Sequence, residues 1–196
     1  MKKHFKHFIA VASVAVVAAG CASAPARFYT LNSTATSDGS PVVNYAVAVG
    51  PVSIPAMVDR PQFTVQVAAN RVAIDEFNRW AEPLNDNIAN VIAGDLGVLL
   101  GTSQVAAVPL ANFDPAYRVA ISIQRFESVP GKSALIEAVW VVHRAVDNSS
   151  RTGHTIVSEP VSGKGFDALA AAHSRALAKV SWDIAEAIRA EAEGKP

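Results

Sequence analysis

Cysteine is almost absent from this sequence, and so is any excess of charge. Its single cysteine, Cys21, cannot form an intramolecular disulfide, so packing alone must stabilise the fold. The 17 basic residues balance the 17 acidic ones. Without the first 20 residues, which include three lysines and no acidic residue, 14 basic residues face 17 acidic ones. A weakly acidic chain is poorly suited to a polyanion, so the composition argues against nucleic-acid binding.

The first 20 residues have the pattern of a bacterial signal peptide. Positive charge comes first, from Lys2, Lys3 and Lys6, and a 12-residue apolar run from Phe8 to Ala19 follows. This run has the length of a signal-peptide core and is too short to span a membrane comfortably. The tetrapeptide Ala-Ala-Gly-Cys at 18–21 resembles a lipobox, with alanine in place of the usual leucine.

We therefore expect cleavage before Cys21 and a covalent lipid on that cysteine, which would anchor the protein to a membrane. The alternative is an ordinary secreted protein in which Cys21 is a leftover thiol. Several acyl chains make a stable anchor, whereas a single chain binds only marginally. Apart from this covalent lipid, we predict no cofactor.

The remaining chain is interpreted as a single domain with short flanking segments. Residues 21–44 form a lipid-anchored tether and a first short strand, because 32–44 are rich in Ser, Thr, Gly and Asp. Residues 45–192 form one α+β domain, and 193–196 form a tail. No internal repeat and no second domain boundary is evident.

Hydrophobic periodicity predicts two helices among several strands. The helices are Pro83 to Leu100 and Phe166 to Ala192, each with an apolar stripe at helical spacing. Alternating or turn-bounded segments predict strands at 45–54, with a kink at Gly50-Pro51, and at 63–67, 72–77, 104–108, 117–126, 134–146 and 152–157. Hairpins between strands imply a mixed, mainly antiparallel sheet with both amphipathic helices packed on one face, an α+β fold.

Three positions within these helices have specific predictions. Gly94 and Gly97 weaken a helix by roughly 1 kcal/mol each, so close packing against a neighbour would explain them. His173 lies on the apolar stripe of the last helix and is predicted to be a core or interface histidine. Trp182 lies about 200° around the same helix from Val180, where a monomer would place polar groups. We predict that Trp182 contacts a partner or a second copy of the chain.

Signatures of catalysis and metal binding are missing, so we predict no catalytic residue and no metal site. Gly131-Lys132-Ser133 ends like a phosphate-binding loop, but Phe126 stands where that motif needs glycine. A hairpin turn explains the tripeptide better. No histidine pair has metal-binding spacing in the mature chain, whose histidines are His143, His154 and His173.

Four ordered motifs carry a family resemblance over the whole mature chain. They are Arg-Phe-Tyr-Thr-Leu at 27–31, Val-Gly-Pro-Val-Ser-Ile-Pro at 49–55, Val-Asp-Arg-Pro-Gln at 58–62 and Arg-Trp-Ala-Glu-Pro-Leu at 79–84. In order and separation they resemble the PqiC (YmbA) family, auxiliary lipoproteins of ABC-type and MCE-type transport systems.

The resemblance implies a non-enzymatic lipoprotein that faces the periplasm and docks to an MCE-domain protein beside an inner-membrane component. Such systems move phospholipids or other hydrophobic molecules between the two membranes and help to maintain envelope integrity. Ala22 follows the cysteine, where aspartate would favour inner-membrane retention, so we expect the outer membrane, with inner-membrane anchoring as the alternative. A second functional hypothesis is a lipid carrier with its own apolar pocket.

Charged and aromatic residues at the ends of elements are the candidate partner-binding residues: Asp59, Arg60, Arg79 and Trp80, together with Trp182. Arginine and tryptophan are favoured anchors of protein interfaces. The alternative is an internal clasp, in which Arg60 or Arg79 pairs with Asp59 or Glu82 and the tryptophan covers the core.

Overall fold

The computed structural model describes residues 24–37, 39–108 and 112–193, so the predicted signal peptide and Cys21 lie outside the described residues. Within these ranges there are eight strands and two helices. They are β1 Arg27–Tyr29, β2 Val47–Ser53, β3 Gln62–Ala68, β4 Arg71–Trp80, α1 Leu84–Leu100, β5 Val105–Ala107, β6 Tyr117–Val129, β7 Ser133–Arg144, β8 Ser150–Pro160 and α2 Gly165–Ala192.

The strands form two sheets. The larger sheet has the order β5-β2-β6-β7-β8, in which β2 is parallel to both β5 and β6 and the β6–β7 and β7–β8 pairs are antiparallel. The smaller sheet has the order β1-β4-β3, with β1 parallel to β4 and with β3 and β4 forming a hairpin. The predicted α+β class and the mainly antiparallel pairing are confirmed. The division into two sheets was not predicted, because periodicity does not reveal which strands pair.

One face of the larger sheet and the two helices enclose the core. Alternate residues of β6 and β7 are buried, as the apolar–polar alternation predicted. Helix α1 lies over β2 and β5, α2 lies over β7 and β8, and the helices also contact each other. The smaller sheet reaches this core through β3, which packs against β6.

The predicted kink in β2, the predicted end of the first helix and the predicted close packing of a helical glycine are all present. The kink in β2 coincides with a cis peptide bond at Gly50–Pro51 and a register shift between Val49 and Val52. Gly101 ends α1 in a left-handed conformation with φ of 66°. Gly94 packs closely, because a Cβ placed on it would lie 3.1 Å from the Cβ of Ser33.

His173 is a core histidine, as its place on the apolar stripe predicted. It is fully buried, and its ring stacks on Phe126 with the two centroids 3.8 Å apart. Its Nε2 atom lies 2.8 Å from the Oγ atom of Ser128. Burial lowers the pKa of His173 to about 3, because the interior disfavours its charged form.

We expect stability to fall between pH 6.5 and pH 4.5 because of His173. The unfolded chain protonates this histidine at its ordinary pKa of 6.5, whereas the folded chain resists protonation down to about pH 3. The unfolded state therefore gains protons first as the pH falls, and about 2 kcal/mol of unfolding free energy is lost over this window. Urea unfolding at several pH values measures the slope. His173→Gln should flatten it, and an unchanged slope in His173→Gln would contradict the assignment. His143→Gln, at an exposed position of β7, is the control for replacing a histidine.

Candidate functional site

Four of the five predicted partner-binding residues, Asp59, Arg60, Arg79 and Trp80, line one surface groove at the start of α1. The groove has a volume of about 460 Å³. Asp59 and Arg60 come from the turn before β3, and Arg79 and Trp80 end β4. We call this depression the α1 groove. Its lining residues are Phe28, Asp59, Arg60, Pro61, Arg79, Trp80, Ala81, Glu82, Pro83 and Leu84.

Main-chain pairing brings the three segments of the α1 groove together. β1 lies parallel to β4, which places Phe28 beside Arg79. The amide of Trp80 donates to the carbonyl oxygen of Pro61 at 2.7 Å, and the amide of Ala81 donates to that of Tyr29 at 2.8 Å. Two backbone hydrogen bonds therefore tie the turn and the first strand to the end of β4.

Trp80 forms the floor of the groove and belongs to the core. It is buried, and its ring stacks on Phe63 with centroids 4.2 Å apart and an interplanar angle of 28°. Phe126 meets the same indole edge-on at 6.1 Å. Most of the indole is therefore unavailable to a partner, so Trp80 shapes the groove from beneath.

The ion pairs of the internal clasp that the sequence left open are not formed. Arg79 Nε donates to the main-chain oxygen of Glu76 at 2.8 Å, and its guanidinium lies 3.8 Å from the exposed Glu76 carboxylate. Glu82 accepts a hydrogen bond of 2.7 Å from Asn87 Nδ2. Both residues thus contact near neighbours in sequence. The ion pairs of the clasp interpretation are therefore wrong, whereas Trp80 covers the core as that interpretation expected.

Asp59 and Arg60 have no counter-ion within the described part of the chain. Among the residues that the structure describes, neither forms an ion pair within 4.0 Å. The Nε atom of Arg60 is buried and has no hydrogen-bond partner in this part of the chain. Leaving this buried donor unpaired is costly. Because Arg60 is only partly buried and has no ion-pair partner among the described residues, an external acceptor could neutralise its charge.

Phe28 is a site residue to which sequence reasoning gave no role. Its side chain is 65% exposed at the rim of the α1 groove, whereas the adjacent Tyr29 is buried. Successive residues of a strand point to opposite faces, so the inward Tyr29 directs Phe28 outward. Recognising residues 27–29 as a strand with Tyr29 buried would therefore have predicted that Phe28 is exposed.

Trp182 lies in a different groove and does not join the α1 groove. This second depression, of about 370 Å³, is called the Trp182 groove, and its lining residues are Thr34, Ala35, Thr36, Leu99, Glu159, Arg175, Ala178, Lys179 and Trp182. The indole is 41% exposed, on the outer face that helical periodicity predicted. Self-association through Trp182 stays a prediction.

A carboxylate neutralises the cations of the Trp182 groove. Glu159 binds both Lys179 and Arg175, the latter at 3.2 Å. Burial acts to raise the pKa of Glu159, but hydrogen bonds and charge from these two cations outweigh it and hold the pKa below its ordinary value. Unlike Arg60, these cations need no external anion.

The other motifs examined for chemistry occupy structural positions. Gly131 and Lys132 lie in the turn between β6 and β7, where the amide of Lys132 donates to the carbonyl oxygen of Val129, and Ser133 is the first residue of β7. No group of three metal-ligating side chains occurs in residues 24–37, 39–108 and 112–193. In the same ranges, neither helix has the length and apolarity needed to cross a membrane.

Four surface depressions have volumes of about 300 to 850 Å³, large enough for part of a lipid. Each has charged side chains in its lining; the smallest, for example, contains Arg71 and Glu127. Ligand pockets for apolar molecules are lined mainly by apolar side chains, with few polar groups. An acyl chain bound in any of these four depressions would therefore lie beside charged side chains.

Comparison with known proteins identifies a family. A sequence model of the family described as ABC-type transport auxiliary lipoprotein component matches residues 29–185. Among curated proteins, none matches the chain significantly.

Solved structures resemble the fold. One is the crystal structure of an uncharacterized protein, 19% identical, with a TM-score of 0.70 over 84% of this chain and 99% of that one. Another is protein XCC0632 from Xanthomonas campestris, described as a DUF330 protein and 22% identical. Its TM-score is 0.69 over 82% of this chain and 93% of that one.

Proposed function

Because the chain belongs to the family of ABC-type transport auxiliary lipoprotein components, the PqiC (YmbA)-like lipoproteins, we propose that it docks to the MCE-domain protein of a lipid transport system. In this role it is a non-enzymatic part, held beside the inner-membrane component of the system and contributing to envelope integrity. Cys21 carries the lipid anchor, and Ala22 directs the protein to the outer membrane, facing the periplasm.

The α1 groove is the proposed docking surface, and the observation that carries this assignment is that Arg60 forms no ion pair with any described residue. An arginine without an internal counter-ion gains most from an external carboxylate, since charge-assisted hydrogen bonds are the stronger ones. Phe28 supplies an exposed ring beside it. An aromatic anchor next to an arginine is the combination found at interface hot spots.

Both signs of charge in the groove suit a protein partner. Arg60 and Arg79 line one depression together with Asp59 and Glu82. Such mixed charge specifies an orientation for a partner of complementary pattern, because like charges placed opposite each other would be repelled. We expect an acidic residue of the MCE-domain protein opposite Arg60 and an apolar one against Phe28.

Arg60→Gln and Phe28→Ala should each weaken binding to the MCE-domain protein about tenfold, a loss of about 1.4 kcal/mol. The first removes the charge and the second removes the exposed ring. The mature protein in detergent, titrated with the periplasmic part of the MCE partner in a calorimeter, measures the affinity.

Arg118→Gln is the matched control for the charge change, because Arg118 is exposed on β6 and does not line the groove. It should bind like the wild type. Wild-type binding that both groove variants leave intact would place the interface elsewhere. No binding of the wild type at tens of micromolar would refute docking itself.

The carrier hypothesis has less support. The grooves large enough for part of a lipid combine charged linings with openness to solvent, and the side chains enclosed by the sheet and helices form a continuous apolar core. The test is to make the protein without its covalent anchor and to extract it with organic solvent. If no co-purifying phospholipid is found in the extract, the result would agree with docking alone.

A further inference from the structure

The β3–β4 hairpin exposes a set of large apolar side chains. Val67, Val72, Ile74 and Phe77 are each between 42% and 46% exposed, although they lie within 11 residues of one another. Single exposed apolar residues are ordinary, whereas a cluster marks a surface that something covers. The hairpin therefore needs an apolar or interfacial environment that the domain itself does not provide.

Charge is confined mainly to one end of the same hairpin, because Asp75, Glu76 and Arg79 all follow Ile74 on β4. Between Phe63 and Ile74 the only charged residue is Arg71, which begins β4 at the turn. β3 is an outer strand, and β1 covers β4 only from Asn78 to Trp80. Exposed edge strands of soluble proteins normally carry charges that prevent unwanted pairing. An uncharged edge with one cation at its tip fits a membrane surface, where headgroups supply phosphates.

The direction of β1 brings the predicted lipid anchor to the same end of the molecule. β1 is parallel to β4, with Arg27 opposite Asn78, so the N-terminal end of β1 points towards the hairpin turn. Five residues lie between Cys21 and Arg27, and the six steps from one to the other reach at most about 20 Å. From Asn78 back to Arg71 the hairpin extends about 23 Å. A lipid on Cys21 can therefore enter a membrane that the hairpin tip also touches.

We propose that the tip of the β3–β4 hairpin lies in the headgroup layer of the membrane that anchors the protein. The apolar side chains enter the boundary between headgroups and acyl chains, and Arg71 contacts lipid phosphates. The free strand edges remain hydrated at this depth of about 5–10 Å, so no backbone group is left unpaired in hydrocarbon. The inference rests on acylation of Cys21, which the proposed function also requires.

This placement fixes the orientation of the domain. The α1 groove is at the opposite end of β4 from the tip, about 25–30 Å away along the strand. With the tip in the headgroups, the groove stands clear of the membrane and faces the periplasm. Hairpin and lipid together hold the domain in one orientation, whereas a tether alone would let it tumble.

A fluorescence measurement tests the contact directly. Acylation consumes the thiol of Cys21, the only cysteine, so Ile74→Cys introduces a single site for an NBD label. The labelled full-length protein, processed in a bacterial host, is reconstituted in vesicles of phosphatidylethanolamine and phosphatidylglycerol with nitroxide-headgroup lipid. We expect quenching at position 74 to exceed that at a control position about threefold or more, since the nitroxide lies at the proposed depth.

Val146→Cys is the control. Val146 is 79% exposed and, with Tyr117, lines a depression at the start of β6, whereas the hairpin contacts the end of β6 near Ser128. The two ends are about 30 Å apart. Equal quenching at both positions, or none at position 74, would overturn the proposal. A blue-shifted emission at 74 without quenching would show that a protein surface covers the hairpin, which also overturns it.

Two further measurements keep the outcomes distinct. Val67→Cys labels the other strand of the hairpin and replaces Ile74→Cys if that variant fails to fold. Mass spectrometry of the N-terminal peptide reads out the lipid on Cys21. An unacylated cysteine would defeat this proposal and the anchored function together, whereas an acylated chain without quenching would defeat the hairpin contact alone.

Discussion

Asp95→Ala should lower the free energy of unfolding by about 4 kcal/mol, the largest loss expected from a single substitution here. Asp95 is a fully buried carboxylate on α1. Its Oδ1 atom accepts hydrogen bonds from the Ser33 hydroxyl at 2.6 Å and from the amides of Thr34 and Ala35 at 2.9 Å each. Its Oδ2 atom accepts one from the Ser181 hydroxyl at 3.1 Å.

These four bonds fasten three segments of the chain together. Residues 33–35 have no regular structure, so Asp95 is their principal attachment to α1, while Ser181 connects it to α2. Alanine leaves the donors without an acceptor and frees the segment. Thr34 and Ala35 line the Trp182 groove, so the same substitution should widen that groove.

Urea unfolding followed by tryptophan fluorescence measures the loss. Asp95→Asn is the matched variant, because its amide oxygen can replace Oδ1 as acceptor and it should cost only about 1–2 kcal/mol. If asparagine and alanine destabilise equally, the hydrogen bonds to residues 33–35 do not carry the effect. Protection of the Thr34 and Ala35 amides from hydrogen exchange should be lost in Asp95→Ala.

Gly153→Ala should destabilise the protein by about 3 kcal/mol, through crowding in the core. Gly153 on β8 is opposite Trp140 on β7, and a Cβ at this glycine would lie 2.0 Å from Cζ2 of the indole. The ring covers the glycine and is buried, and its Nε1 donates to Thr155 Oγ1 at 3.1 Å. Alanine must therefore displace a large, hydrogen-bonded aromatic side chain.

The comparison for this change is Thr152→Ala on the same strand, whose side chain is exposed and which should alter stability by less than about 0.5 kcal/mol. Thermal unfolding of both variants and the wild type provides the measurement. A Gly153→Ala protein as stable as Thr152→Ala would mean that the indole moves aside without penalty, and would refute the crowding argument.

The limits of the two helices could be predicted closely from the sequence, whereas β4, β6 and β8 extend up to three residues beyond their predicted ends. The second helix was expected from Phe166 and begins at Gly165, and the first was expected from Pro83 and begins at Leu84. Periodicity succeeds here because burial repeats with the geometry of the backbone. The same rule placed His173 inside and Trp182 outside on one helix.

Interactions between elements were predicted less well. The burial of Asp95 was not predicted from the sequence, because an acidic residue in an amphipathic helix ordinarily faces water. Its burial depends on three donors from residues 33–35, a segment that composition identified only as a loop. The ion pairs of the clasp were wrong for a related reason. The nearby charges of Asp59 and Glu82 suggested partners for Arg79. Instead, Arg79 donates a hydrogen bond to the main-chain oxygen of Glu76 on the same strand.

By itself, the sequence determined the types of the helices and strands, the limits of the two helices and the family, and it predicts lipid attachment at Cys21. All of these depend on local pattern, which is written in neighbouring residues. Only the tertiary structure decided that Phe28, Arg60 and Arg79 share one groove, that Arg60 forms no ion pair with any residue in the described ranges, and that the N-terminal end of β1 points towards the hairpin tip. These facts depend on which strands pair and in which direction, and no local period encodes a contact between distant segments.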